Sequence, residues 1–286
     1  MLKTRFAPSP TGVLHIGSAR TALFSWLFSK ANSGSFVIRI EDTDLIRSKQ
    51  EFVEQQLNSL AWLGINSDEE LVYQSKRSEI YKGYVNKLLS SGKAYKCYCS
   101  KDRLEQLKEN AIRSGKLSVY DGHCRNSEEI NAEHVVRLRV PNTGTIEFED
   151  QVYGKIITNL ENIDDFIIQR SDGSVTYNFA VVVDDHMQNI TNIIRGEDHL
   201  SNTPKQILLY KALGLQFPIF SHVPIILGSD GSKLSKRNGS MGIDELRNNG
   251  FISSGLINYI ARLGWSSGDQ EIMQVDEIIE RFSLDQ

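Results

Sequence analysis

Apolar and polar positions along the chain follow first one spacing and then another. Residues 3–6 have the look of a short strand, and a Pro- and Gly-rich loop, residues 7–14, follows it. From about Gly17 a helix is expected, because Ala19, Leu23, Trp26 and Leu27 recur at helical spacing. Residues 35–40 (SFVIRI) form a nearly continuous apolar run of strand length, as a strand covered on both faces requires. Strand, crossover helix and parallel strand are thereby predicted, followed by amphipathic helices over residues 50–63 and 78–91, the second stopped by Gly92.

From about Lys93 to Ser174 the period changes. Val136, Leu138 and Val140 alternate with Arg137 and Arg139, and residues 166–169 lead into a Ser171-Asp172-Gly173 turn, which predicts antiparallel hairpins. Buried-strand patterns return in residues 179–183 (FAVVV) and 190–194 (ITNII), with a helix expected over 204–213 and a mostly helical segment from 241 onward. The expected fold class is α/β: a parallel-sheet nucleotide-binding domain split by an inserted α+β domain. The predicted divisions are residues 1–92 and 175–240 for the two halves, 93–174 for the insertion and 241–286 for the helical segment.

Composition narrows the class only slightly. The chain has 286 residues, 40% of them hydrophobic, enough for a sizeable core, and a formal net charge of −4, which argues against a surface that grips nucleic acid everywhere. The N-terminus has no apolar signal region and no stretch reaches membrane-spanning length, so no membrane partner is expected and a cytoplasmic location is the default. Three cysteines, two of them Cys97 and Cys99, do not make a disulfide framework.

The chemistry concentrates in two loops. In the first, Pro8, Pro10 and Gly12 shape a strand-to-helix turn, and a helix start with its unpaired N–H groups suits phosphate. His15 adds a donor there, and Gly17 leaves room for a flat base. In the second, Gly-rich residues 228–237 present Lys233 and Lys236, able to follow phosphate oxygens as pyrophosphate leaves. A lone His-x-Gly reads as a turn, and KLSKR alone as a solvated basic loop. Together, RFAPSPTGVLHIGSAR and KLSKR resemble the paired signatures of class I aminoacyl-tRNA synthetases, and the APSPTG form resembles the glutamyl branch. IEDTD, YNFAVVVDD, RGEDH and LGWSSGDQE extend the resemblance over almost the whole chain. One departure is Ser18, where class I members often carry His.

The resemblance implies a Rossmann-type catalytic domain, with 93–174 binding the tRNA acceptor end and 241–286 contacting its stem. It implies ATP-dependent activation of L-glutamate with Mg²⁺ and transfer to the 3′ end of tRNA-Glu. His15, Gly17, Lys233 and Lys236 are the implied catalytic residues. ATP would meet Pro8, Thr11, Gly12, His15, Gly17, Glu197, Asp198 and Lys236.

Glutamate carries two carboxylates and an ammonium, so its site needs cations and an anion. Arg5, Glu41 and Arg195 all follow or end apolar strand runs, where open α/β sheets bind ligands, although Arg195 could equally pair with Asp184 or Asp185. By resemblance Arg5, Ser9, Tyr177 and Arg195 form the pocket and Glu41 holds the ammonium. Asp44 and Arg47 are the implied contacts of the tRNA acceptor end. Cys97, Cys99 and Cys124, with Tyr120 or His123, make a candidate structural Zn²⁺ site, although Asn126 stands where some relatives have His. Family enzymes continue into an anticodon-reading helical domain, so the chain is expected to be the catalytic part of a longer enzyme acting as a monomer. Its rivals are a short relative that glutamylates queuosine on tRNA-Asp and a small-molecule adenylyltransferase.

Overall fold

The structure, a computed structural model, describes residues 1–44, 46–115, 120–127, 133–228, 231 and 241–284. In chain order its elements are β1 (Lys3–Phe6), α1 (Ile16–Ala31), β2 (Ser35–Ile40), α2 (Gln50–Trp62), β3 (Val72–Tyr73), α3 (Ser78–Ser90), β4 (Ala94–Cys97), α4 (Lys101–Arg113) and β5 (Val135–Leu138). There follow β6 (Thr145–Asp150), β7 (Gly154–Asn159), β8 (Ile167–Gln169), α5 (Tyr177–Met187), β9 (Asn192–Gly196) and α6 (Thr203–Leu213). The last are β10 (Ile219–Val223), α7 (Ile243–Asn248), α8 (Ser253–Ala261) and α9 (Val275–Arg281).

Strands β1, β2 and β3 are parallel, and so are β9, β10 and β6, with β7 antiparallel on the outer edge of β6. The two sheets meet where the Thr191 N–H donates to the Lys3 carbonyl at 2.9 Å and the Lys3 N–H donates to Thr191 Oγ1 at 2.8 Å. The order is therefore β3-β2-β1-β9-β10-β6-β7. Chain direction along the sheet reverses between β1 and β9, the topological switch point at which α/β sheets bind ligands.

Both faces of the sheet are covered, and side chains alternate accordingly. Phe36, Ile38 and Ile40 pack with α1 and the C-terminal helices, whereas Val37 packs with α3, α5 and α6. Neighbouring Ile193 and Ile194 divide in the same way. Helix α1 is buried on more than one side because the C-terminal segment closes over it, with the Phe24 and Phe282 rings edge to face at 5.2 Å. No helix among the described residues is long and apolar enough to cross a membrane.

Three sequence expectations change. Residues 179–183 are not a strand: after extended Thr176 the chain forms α5, in which Phe179, Ala180, Val181, Val182, Val183, Asp184 and Asp185 are all buried. A helix enclosed on all sides shows an unbroken apolar run, which has no period to tell it from a strand. The strand expected over 190–194 begins at Asn192, because Asn189 adopts a positive φ of 55° and turns the chain. The segment 93–174 divides between two sheets. Strands β4, β5 and β8 form their own antiparallel sheet, while the β6–β7 hairpin extends the parallel one.

The face of β2 that carries Val37 continues through Arg39 to Glu41, and Arg39 is fully buried. Its guanidinium donates to Asp185 at 2.8 Å and Gln188 at 2.8 Å, reaches Glu41 at 3.4 Å and lies 3.9 Å from Asp184. Asp184 also accepts from Arg77, Tyr81 and Gln74 at 2.7, 2.7 and 2.9 Å. This network ties β1, β2, α3 and α5 together. Substituting Arg39→Leu removes the cation between the buried Asp185, Glu41 and Asp184 carboxylates and leaves Arg5 alone to offset Asp185 and Glu41. A loss of about 3–5 kcal/mol in unfolding free energy is expected from denaturant titration.

Candidate active site

At the switch point a cavity of about 580 Å³ opens between the carboxyl ends of β1, β2 and β9. Arg5, Pro8, Ser9, Thr11, Gly12, His15, Gly17, Glu41, Tyr177, Arg195 and Asp198 line it, together with Gln56, His199 and Pro224, Ile225 and Ile226. The residues expected for the amino acid and most of those expected for the nucleotide thus surround one space.

The first loop is held in place by its backbone. The Glu41 N–H donates to the Pro8 carbonyl at 2.9 Å, and the Lys49 N–H to the Pro10 carbonyl at 3.1 Å. From α2, buried Gln56 donates to the carbonyls of Gly12 at 2.7 Å and Ser9 at 3.3 Å. At the loop's end His15 caps α1: Nδ1 accepts from the Ser18 N–H at 3.3 Å, and the His15 N–H donates to Ser18 Oγ at 3.2 Å. Ser18, the departure from the signature, is thus the reciprocal half of a capping box. Because Nδ1 is the acceptor, the neutral imidazole carries its proton on Nε2. A Cβ at Gly17 would stand 3.2 Å from His15 Cε1 and Nδ1, so glycine leaves the ring its pose.

Lys233 and Lys236 lie outside the described residues. The flanks of their loop reach the cavity: Ile225 and Ile226 line it on one side, and on the other Gly242 bridges to His15 while the Ile243 N–H donates to the Leu14 carbonyl at 2.9 Å.

Charge inside the cavity is unusually well buried. Arg5 Nε donates to Asp185 at 3.2 Å, so the carboxylate that holds Arg39 also orients Arg5. Burial pushes the Glu41 carboxyl up to about 7, against the pull of the Arg39 and Arg5 charges. Arg195 pairs with neither Asp184 nor Asp185 by hydrogen bond. Its Nε donates to His222 Nε2 at 3.0 Å and its Nη2 to Thr203 Oγ1 at 2.7 Å. Among the described residues its buried Nη1 has no hydrogen-bond partner. Tyr177 OH and His199 Nδ1 lie 3.1 Å apart. Burial first and the neighbouring Arg195 charge second lower His199 to about 4, and burial with the Glu41 charge raises Tyr177 to about 12, so both are neutral.

Some expected site residues fall elsewhere. Glu197 does not line the cavity: its carboxylate accepts from the Tyr153 hydroxyl and, at 3.0 Å, from the Ile225 N–H. Asp44 and Arg47 form an ion pair at 2.6 Å outside the cavity, with the Arg47 side chain 74% exposed. In the insertion, Cys97, Cys99 and Cys124 bring their sulfurs within 4.8 Å of one another, and Tyr120 OH is 3.3 Å from Cys97 Sγ and 3.4 Å from Cys99 Sγ. Three sulfurs and a phenol oxygen at such separations suit a tetrahedral metal. His123 is not among these converging donors. Gln56, Arg39 and His222 were not singled out by the sequence, because none belongs to a local motif, and His199, the last residue of RGEDH, was given no role of its own.

The sequence profile of the family described as "tRNA synthetases class I (E and Q), catalytic domain" matches residues 1–286. Glutamate–tRNA ligases of Geotalea uraniireducens and Francisella tularensis are each 52% identical over 100% of this chain, which spans 62% of their length. A crystal structure of a glutamate tRNA ligase from Elizabethkingia meningosepticum in complex with its amino acid superposes with a TM-score of 0.91 at 34% identity, over 99% of this chain and 65% of that one. A putative arginyl-tRNA synthetase from Campylobacter jejuni, 12% identical with a TM-score of 0.57, shares the fold. The chain belongs to the class I glutamyl and glutaminyl tRNA synthetase family and spans its catalytic domain.

Proposed function

We propose that this chain activates L-glutamate with ATP, as its Mg²⁺ complex, and transfers the glutamyl group to the 3′ end of tRNA-Glu. The observation that carries the reading is the convergence of two buried arginines, Arg5 and Arg195, and a buried carboxylate, Glu41, beside the capped start of α1. That set complements a small molecule with two carboxylates and an ammonium. The names of the relatives support the same substrate.

In this reading Arg5, Arg195, Tyr177 and Ser9 hold glutamate and Glu41 faces its ammonium. A carboxylate oxygen attacks the α-phosphorus of ATP as the bond to pyrophosphate breaks. The His15 Nε2–H and the N–H groups of the loop and helix start stabilise the phosphate, and Lys233 and Lys236 follow the departing charge. Asp198, which lines the cavity, serves the ribose in preference to Glu197. The terminal ribose hydroxyl of tRNA then attacks the carbonyl carbon and releases AMP, with no covalent enzyme intermediate. The exposed Asp44–Arg47 pair suits contact with the tRNA acceptor end. Cys97, Cys99, Cys124 and Tyr120 would hold a structural Zn²⁺, which when bound cross-links strand β4 to the segment around Cys124.

ATP–pyrophosphate exchange with glutamate, run with tRNA-Glu, with tRNA-Asp and with no tRNA, tests the function. Exchange and charging with tRNA-Glu are expected, and glutamylation of tRNA-Asp alone would overturn the reading. Because Glu41 takes up a proton below about pH 7, it loses its attraction for the ammonium on the acidic side. The KM for glutamate is therefore expected to rise about tenfold per pH unit as pH falls through that range, while the KM for ATP stays flat and Glu41→Gln abolishes the trend. Metal analysis of protein purified without chelators is expected to find close to one equivalent of zinc, lost in Cys124→Ser; under a tenth of an equivalent in the unsubstituted protein would rule the site out.

A further inference from the structure

Behind Arg195 lies a chain of buried polar groups that reaches out of the cavity into the inserted hairpin. His222, on β10, is fully buried, and Asp150, the last residue of β6, is 1% exposed. His222 Nδ1 and Asp150 Oδ2 are 2.6 Å apart, while Arg195 Nε donates to His222 Nε2 at 3.0 Å. A guanidinium has only donors, so Nε2 must accept. The proton of the neutral ring then sits on Nδ1, where it is donated to the Asp150 carboxylate. Burial and the Arg195 charge lower the His222 pKa despite Asp150, which keeps the imidazole neutral.

Asp150 is itself held on every side. Its other oxygen accepts from the Val152 and Tyr153 N–H groups at 3.0 Å each and from the His222 N–H at 3.3 Å. Burial opposes its charge, but the hydrogen bonds from His222, Tyr153 and Val152 outweigh that and keep the carboxyl below its ordinary range. The carboxylate thus fixes the tautomer, the tautomer fixes the acceptor, and the acceptor, with Thr203 on Nη2, fixes two of the three guanidinium nitrogens. The third, Nη1, belongs to a residue lining the cavity and has no partner among the described residues.

We propose that Asp150 and His222 are positioning residues for amino-acid binding, holding the Arg195 guanidinium so that Nη1 meets a substrate carboxylate. The proposal rests on the reading of Arg195 as a glutamate ligand. A long flexible side chain prepaid in its bound pose loses less freedom when the carboxylate arrives. A pair that served only to stabilise the fold would affect ATP and glutamate alike. This one acts through a single group of the amino-acid pocket.

The first test is ¹⁵N NMR of the histidines in the full-length protein. His222 is expected as the Nδ1–H tautomer, and an Nε2–H tautomer or an imidazolium at neutral pH would overturn the proposal. The second is kinetic. Asp150→Asn can donate an amide proton to Nδ1, which drives the ring proton to Nε2 and removes the acceptor for Arg195, much as such a change misaligns a catalytic histidine. Asp150→Asn and His222→Phe are each expected to raise the KM for glutamate on the order of tenfold or more, with the KM for ATP within about twofold. His222→Gln, whose Oε1 can accept in place of Nε2, is expected to recover part of the loss. Parallel rises in both KM values, or no advantage of Gln over Phe, would sink the positioning role. Arg195→Ala separates the layers. If it leaves the KM for glutamate unchanged, the assignment of Arg195 itself falls; if it raises that KM while the Asp150 and His222 variants do not, only the relay falls.

Discussion

The ion network around Arg39 and Asp185 is the constraint on which the site depends. A guanidinium taken fully out of water is tolerable only where carboxylates surround it, and here Asp185, Glu41 and Asp184 do so while holding it firmly protonated. Asp185 in turn accepts from Arg5, so one carboxylate on α5 sets the relative position of two strands and of the cationic side of the cavity. Burial that raises the Glu41 pKa is the cost of the same arrangement. The fold and the charged lining of the cavity therefore draw on the same groups.

The inserted segment is part of this frame and not an appendage. Strand β6 pairs with β10, and Asp150 at its end reaches His222 and through it Arg195. The turn after β6 also supplies Tyr153 to Glu197, which accepts from Ile225 in the segment that follows β10. One hairpin thereby touches both the support of Arg195 and, through Glu197, the Ile225 stretch of the cavity lining.

Sequence reading went far with local features and failed with distributed ones. The strands at Lys3–Phe6 and Ser35–Ile40 are short runs bounded by turn residues and the helices at Gln50–Trp62 and Ser78–Ser90 carry the helical period, so they were legible. Residues 179–183 were not, because a helix buried on all sides reads as a strand. The β6–β7 hairpin was assigned to the insertion by chain position, whereas its pairing with β10 depends on a strand some seventy residues later. Arg5, Glu41 and Arg195 surround one cavity as their places at strand ends suggested, and Ser9 and Tyr177, expected from the family resemblance, line it with them, but nothing local indicated Gln56 or His222.

By itself the sequence determined the chemistry on offer: a helix start behind His15, two lysines in a Gly-rich loop, and the class I synthetase family to which both belong. These are properties of short stretches, in which neighbours in the chain are neighbours in space. Tertiary structure alone decided which charges meet. Arg39 and Asp185 are 146 residues apart, and Asp150 and His222 are 72 apart. Such pairs form only where packing removes water and brings distant segments together, so no residue type or spacing announces them. The same holds for Arg195, which sequence could as well have paired with Asp184 or Asp185 and which the fold instead hands to His222.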